Sequence, residues 1–182
     1  MRNGIIAALL ALAAVPSIRP VTARVPAAQL QKRDYLTDEE ADKIRDADTP
    51  AARIKLYVGF ADDRLKKFDY ELNTTTDDRR RTELLNSLLN EYSGCIDDGA
   101  DQIAVAKEKQ SDIHASLKLM HSKYEEFLDQ LQKYEKGGKD LDIYKDTLDD
   151  AVDATKDAIS DVADAEKEML PAPVRRKQSG GL

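Results

Sequence analysis

The chain reads as an all-α protein: an antiparallel up-down-up-down four-helix bundle with coiled-coil-like packing and a short extra helix at its N-terminal side. Three observations predict this. Apolar residues recur at alternating steps of three and four along four long segments, which is the spacing of a coiled-coil seam. The segments are separated by short turns rich in Asn, Thr, Gly and Asp, and short turns favour antiparallel neighbours. Capping signals mark segment ends, with Thr37 and Thr49 at helix starts and Gly137-Gly138 at a helix end.

Thr37-Asp38-Glu39-Glu40 opens the first helix as a capping box, with Thr37 as N-cap and Glu40 three positions on. This helix is short and runs to about Asp46. Thr49 caps a second helix whose first position is Pro50, where the missing N–H costs nothing. Its seam is Ile54, Tyr57, Ala61, Leu65, Phe68 and Leu72. Asn73 to Thr76 is a turn, and Asp77 and Asp78 suit the positive end of the next helix dipole. Asn73-Thr74-Thr75 also matches a glycosylation acceptor, and reads here as a capping turn.

The third helix carries Leu85, Leu88, Tyr92, Cys95, Gly99 and Ile103 on one face. Gly94 and Gly99 weaken it by about 1 kcal/mol each relative to alanine, unless they admit a close neighbouring backbone. The fourth is the most regular, with Ile113, Leu117, Met120, Tyr124, Phe127, Leu131 and Tyr134, and Gly137-Gly138 ends it as glycines commonly do. The fifth starts its face at Leu141 and continues through Tyr144, Leu148, Ala151, Thr155, Ala158, Val162 and Ala165, widened by Val152 and Ile159. Pro171 and Pro173 stop it. The four long helices should run about 25–30 residues, or roughly 40 Å. A helical hairpin that completes its core by dimerising satisfies the same pattern.

Residues 1–23 predict the compartment. Arg2 gives a positive start, Ile5 to Val15 is an uncharged apolar run, and Val21-Thr22-Ala23 offers small residues at a cleavage site. This is the pattern of a secretory signal peptide cut after Ala23. The run is about half the length of a membrane span, so no stable membrane insertion is expected after cleavage, and the destination is periplasmic or secreted. The expected organisation is then a flexible arm at 24–36, a helical bundle at 37–170 and a disordered tail at 171–182. Arg175-Arg176-Lys177 in that tail is too short a basic run for firm attachment to an anionic membrane.

With 35 acidic against 28 basic residues in 182, the net charge is −7, and loss of Arg2 and Arg19 with the leader makes the remainder more acidic. That balance argues against nucleic acid and anionic lipid as partners. The absence of tryptophan argues against a stacking platform for bases or sugars. Cys95 is the sole cysteine, so no internal disulfide forms, and its place on the seam makes it a small buried hydrophobe.

Catalytic signatures are missing: there is no nucleophile elbow, no His-Glu-x-x-His and no phosphate-binding glycine loop. The chain is therefore not expected to be an enzyme, and no cofactor is expected. The best metal candidate is His121 with Glu125 one turn on. It joins an aspartate stripe on the last helix that includes Asp146, Asp150, Asp153 and Asp157. A helix face spaces carboxylates too widely for a tight hard-cation site, so weak divalent-cation binding is the alternative to a solvated face. His114 and His121 lack a glutamate three positions before them, since Ser111 and Lys118 stand there, so the di-iron bundle motif is absent. Arg79-Arg80-Arg81 is expected to pair with Asp77 and Asp78 or with the aspartate stripe of the last helix.

The combination of Ile44-Arg45-x-Ala47, a proline-started helix and Arg53-Ile54-Lys55-Leu56-Tyr57 resembles exported helical proteins of bacteria to which no activity is attached. It spans about a fifth of the chain and implies export and a helical fold. Leu36-Thr37-x-x-Glu40 is similar to the Leu-Thr-x-x-Gln repeat of small periplasmic chaperones, with glutamate replacing the glutamine and no second copy. The expected function is an envelope interaction or structural module, chaperone-like in that it binds a protein partner or a second copy through a helix face. The repetitive Ala-Val-Asp-Ala-Thr-Lys-Asp-Ala tract also fits an amphipathic stress-protection protein.

Overall fold

A computed structural model describes residues 35–74 and 79–168, without the side chain of Arg79. The leader at 1–23, nearly all of the arm, the helix start at Thr76-Asp77-Asp78 and the tail at 171–182 lie outside the described residues. Those described are helical, with no strand among them. The order is α1 (Asp38–Asp46), α2 (Pro50–Asn73), α3 (Arg79–Glu108), α4 (His114–Gly137), a 3-10 turn (Leu141–Ile143) and α5 (Lys145–Glu168).

The helix starts are where their caps put them. The Thr37 hydroxyl accepts from Glu40 N while the Glu40 carboxylate accepts from Thr37 N, so the capping box at α1 is closed in both directions. Thr49 accepts from Ala52 N ahead of Pro50. At the other end of α2, Asn73 and Thr74 return side-chain hydrogen bonds to the carbonyls of Asp69 and Tyr70, which closes the helix as a capping turn.

The seams are buried as spaced. Every seam residue named above for the second, third and fourth helices is buried, and so are those of the fifth from Tyr144 onward except Ile159, which is half-buried. Burying a Leu or Phe completely contributes about 1.5–3 kcal/mol. Together these side chains form one core cluster. At one end Phe68 meets Tyr134 at 5.1 Å and stands edge-on to Tyr144 at 5.2 Å; further along, Tyr92 stands edge-on to Phe127 at 5.9 Å.

The pairs that pack are α2 with α3, α4 with α5, α3 with α5 and, more lightly, α2 with α4, while α1 rests on α2. Although only residues 109–113 separate them, α3 and α4 are not close backbone neighbours and meet through core side chains such as Tyr92 and Phe127. The turn between them explains how. Gln110 takes a left-handed conformation, with φ 50°. Its N–H reaches Lys107 O and the Ser111 N–H reaches Ala106 O. These are the two hydrogen bonds of a Schellman ending, made here without glycine.

Two local expectations change. The fifth helix does not begin at Leu141: Asp140, with φ 54°, and the 3-10 turn precede it, and Leu141 is only half-buried. The glycines are not left-handed caps, for none of them has positive φ among the described residues. Gly94, Gly99 and Gly138 make room for tyrosines. A Cβ on Gly94 would stand 2.8 Å from the Tyr35 ring, one on Gly99 2.7 Å from the Tyr124 hydroxyl, and one on Gly138 2.1 Å from the Tyr144 hydroxyl.

Candidate functional site

The densest polar construction lies where α1 meets α2 and α3, and it centres on Arg64. This residue falls on the apolar stripe of α2, between Ala61 and Leu65, and its side chain is 2% exposed. A guanidinium so deep must have its N–H groups paired. Arg64 Nε donates to Glu91 Oε2 of α3 at 3.2 Å, and Nη2 donates to the Tyr35 carbonyl at 3.0 Å. The two Nη atoms also grip both oxygens of the Glu40 carboxylate, Nη2 at 2.6 Å from Oε2. Fork-to-fork pairing of this kind is the strong form of an ion pair.

Glu40 thus does two jobs, closing the start of α1 and pinning α1 to the helices beneath. Burial alone would raise its pKa, but hydrogen bonds from Arg64 and Thr37 outweigh this and hold the carboxyl down at about 2. The same hydrogen bond to Glu40 raises Arg64 against its own desolvation. Cys95 lies within electrostatic reach of Arg64, Glu40 and Glu91, and burial pushes its thiol up to about 12. It is fully buried in the core, as its seam position implied, and a thiol that stays protonated at neutral pH is a poor nucleophile.

His121 is half-buried on α4. Its Nε2 stands 3.3 Å from Glu125 Oε1 and its Nδ1 3.4 Å from Glu166 Oε2 of α5. The carboxylates therefore bracket the ring from opposite nitrogens and do not converge on one point, as ligands of a single ion must. Glu166 was not singled out from the sequence. Asp146, Asp150, Asp153 and Asp157 are all exposed along α5. Lysines are interleaved with them: Lys156 pairs with Asp153 at 3.1 Å, and Lys145 with the neighbouring Asp149 at 2.6 Å. Asp157 does approach α3, where it and Asp101 add to burial in raising the Asp97 pKa. Among the described residues, no three His, Cys, Asp or Glu side chains stand together so as to hold a metal ion.

His114 pairs with Asp112 at 3.0 Å, beside an open recess of about 410 Å³ lined by Ala51, Ile113 and Ser116. Of the arginine run, Arg81 is tied to Asp140 at 2.6 Å and to the Leu72 carbonyl at 2.9 Å, so it staples the α2 end to the turn before α5. Asp77 and Asp78, among its expected partners, lie outside the described residues. No described helix is long and apolar enough to cross a membrane.

Sequence reasoning missed Arg64, Glu91 and Tyr35 as a group. One signal for it was present: an arginine at a seam position of α2 demands a buried acid, and Glu40 and Glu91 are among the acids offered. No protein-family model, curated protein or solved structure matches the chain.

Proposed function

We propose that this chain is an exported interaction module of the cell envelope, structural or chaperone-like, acting in the periplasm or outside the cell. Its helices form an antiparallel up-down-up-down four-helix bundle, and a protein partner or a second copy docks on a helix face. Contacts that join α2 and α3 in opposite senses support the bundle reading: Arg81 at Leu72, Arg64 at Glu91, Tyr57 beside Gly99. One observation carries the interaction reading. Tyr70, 69% exposed, and Leu84, 41% exposed, are the large apolar side chains left open among the described residues. They stand near the same end of two helices that pack together. An exposed tyrosine is a common anchor at protein interfaces.

Native mass spectrometry of the protein, purified gently from its own cell envelope, tests this. The expected species begins at Arg24 and carries a protein partner or a second copy, and the complex is lost when Tyr70→Ser and Leu84→Ser are combined. A bare monomer refutes the interaction reading, and an intact leader refutes export with cleavage.

A further inference from the structure

A charged cluster anchors α1 to the helices beneath it. None of its nine residues is buried. It is seated by the Glu40 carboxylate on Arg64, by the Tyr35 carbonyl on the same guanidinium, and by the Tyr35 ring lying over Gly94. Its apolar contacts are few: Ile44 packs half-buried on the core, with Leu36 and Tyr35 just ahead of it, and an element held so lightly belongs to the low-stability end of a fold. If it lifts away, Arg64 keeps Glu91 but loses the acceptors of both Nη atoms, and Gly94 loses the ring above it.

What α1 leaves behind has definite preferences. The guanidinium fork asks for a carboxylate presented with both oxygens. One further N–H asks for a carbonyl nearby. The floor at Gly94, bare of a Cβ, admits a flat ring. Residues 35–40 meet all three demands at once: an aromatic residue, then two positions on a Thr-x-x-Glu capping box, at the start of an acidic helix.

We propose that α1 is a releasable clasp on this slot. In the open form the slot takes, in place of α1, the first turn of an acidic helix from a partner protein that carries an aromatic residue five positions before its capping-box glutamate. The clasp is then a built-in competitor. The apparent affinity of the slot for such a helix is its intrinsic affinity scaled by the open fraction. This site is separate from the Tyr70–Leu84 end of the same two helices, and neither needs the other.

Two measurements on the full chain test the proposal. In the first, amide hydrogen exchange is followed with urea added below the unfolding transition. The amides of residues 38–46 should exchange through an opening with a shallow urea slope, at least tenfold faster in Glu40→Gln. Gly94→Ala should do the same without changing charge, because its Cβ displaces the Tyr35 ring. Exchange of α1 only with the slope of global unfolding overturns the clasp.

In the second, a synthetic peptide of residues 35–47, with photoreactive benzoylphenylalanine in place of Leu36, is cross-linked at millimolar concentration to the Glu40→Gln protein. Cross-links should map to α2 and α3 around Arg64 and Gly94. Yield should fall at least tenfold when the peptide itself carries Glu40→Gln, and likewise on the wild-type protein, whose slot is occupied. Arg64→Lys in the Glu40→Gln background, which keeps charge but removes the fork, should also lose it. Scattered cross-links, or equal yield from both peptides, overturn the slot. No envelope partner enters this assay, so its failure leaves the Tyr70–Leu84 reading standing.

Discussion

Replacing Glu40 with glutamine tests the central ion pair, because the expected effect has a size and a pH range. In the folded chain the carboxyl is held at about 2 against the usual 4.5. A group whose pKa is lowered by folding stabilises the fold at pH above its unfolded value. That stabilisation is lost as pH falls through the folded value. At about 1.4 kcal/mol for each tenfold of proton affinity, the ionised carboxylate contributes about 3 kcal/mol near neutrality. Glutamine keeps the shape and one acceptor but not the charge. The groups facing it are Arg64 from α2, Glu91 and Cys95 from α3, and Thr37 from its own cap. Of these only Arg64 is cationic, so losing the negative charge leaves the arginine with Glu91 alone.

The full 3 kcal/mol is a ceiling. A second process competes with the loss: α1 can detach, and once detached it costs nothing more. The observed loss is then the smaller of the pair energy and the docking energy of α1, and we expect about 1–3 kcal/mol at pH 7. Urea unfolding followed by circular dichroism, at pH 7, 5, 4, 3 and 2.5, gives the difference between wild type and variant. Carboxyls common to both cancel. The gap should be constant from pH 7 to about 5, narrow below 4.5 and vanish toward pH 2. It should survive moderate salt, since a pair with 2% and 13% exposure is screened far less than a surface pair. A gap that is flat with pH would show that the lost cap, not the charge, is responsible. No gap at pH 7 would refute the role assigned to Arg64.

The adjacent glycines at the end of α4 should respond with opposite signs: Gly138→Ala places a Cβ 2.6 Å from the Tyr134 carbonyl oxygen and costs about 1–3 kcal/mol, whereas Gly137→Ala, with nothing within 4 Å, gains about 0.5–1 kcal/mol; thermal melts decide, and equal effects refute the close approach. Gln110→Gly should stabilise by about 0.5–1 kcal/mol, the left-handed strain relieved less the extra freedom glycine gives the unfolded chain; a loss of stability would refute the Schellman ending. Thr155→Val strands the Tyr92 hydroxyl, which sits 2.7 Å from Thr155 Oγ1 inside the core, and costs about 1–3 kcal/mol, with much of the loss recovered when Tyr92→Phe is added; additive losses would refute the pairing.

What the sequence made legible was the local chemistry. Steps of three and four identify a buried stripe wherever they run unbroken, as from Ile113 to Tyr134 in α4. Thr37 with Glu40, and Thr49 with Pro50, announce helix starts because the cap is made within a few residues. The end of α3 was less legible, since Gln110 carries no local sign that it will take a left-handed conformation. Gly94, Gly99 and Gly138 could not be interpreted for a different reason: each is shaped to a tyrosine on another element, and no spacing rule links them. The Arg64 cluster is the same case on a larger scale, joining residues 24 and 27 positions distant in the chain.

Pairing of the helices was hidden for a deeper reason. A seam of period 3.5 is degenerate, because any such stripe can bury itself against any other. Four similar stripes therefore do not say which helix lies beside which. The polar contacts between helices, buried at Tyr92 and Thr155 and part-buried elsewhere, do. Thr155 Oγ1 donates to the Ala151 carbonyl, which leaves Tyr92 O–H as the donor to Thr155 and joins α3 to α5. Asn86 donates to the Ile143 carbonyl and accepts from Thr147, joining the same pair one step closer to the turn. Tyr134 donates to Asp69 and so ties α4 to α2, while Arg64 ties α2 to α3 and α1. Each contact adds little to net stability when made, yet it becomes costly if a wrong pairing leaves the group buried alone. Moving α3 from α5 onto α4 would strand Tyr92 and Thr155 at once. The apolar stripes thus supply the drive to pack, and this small set of polar residues accounts for α3 lying on α5 and not on the helix that follows it in the chain.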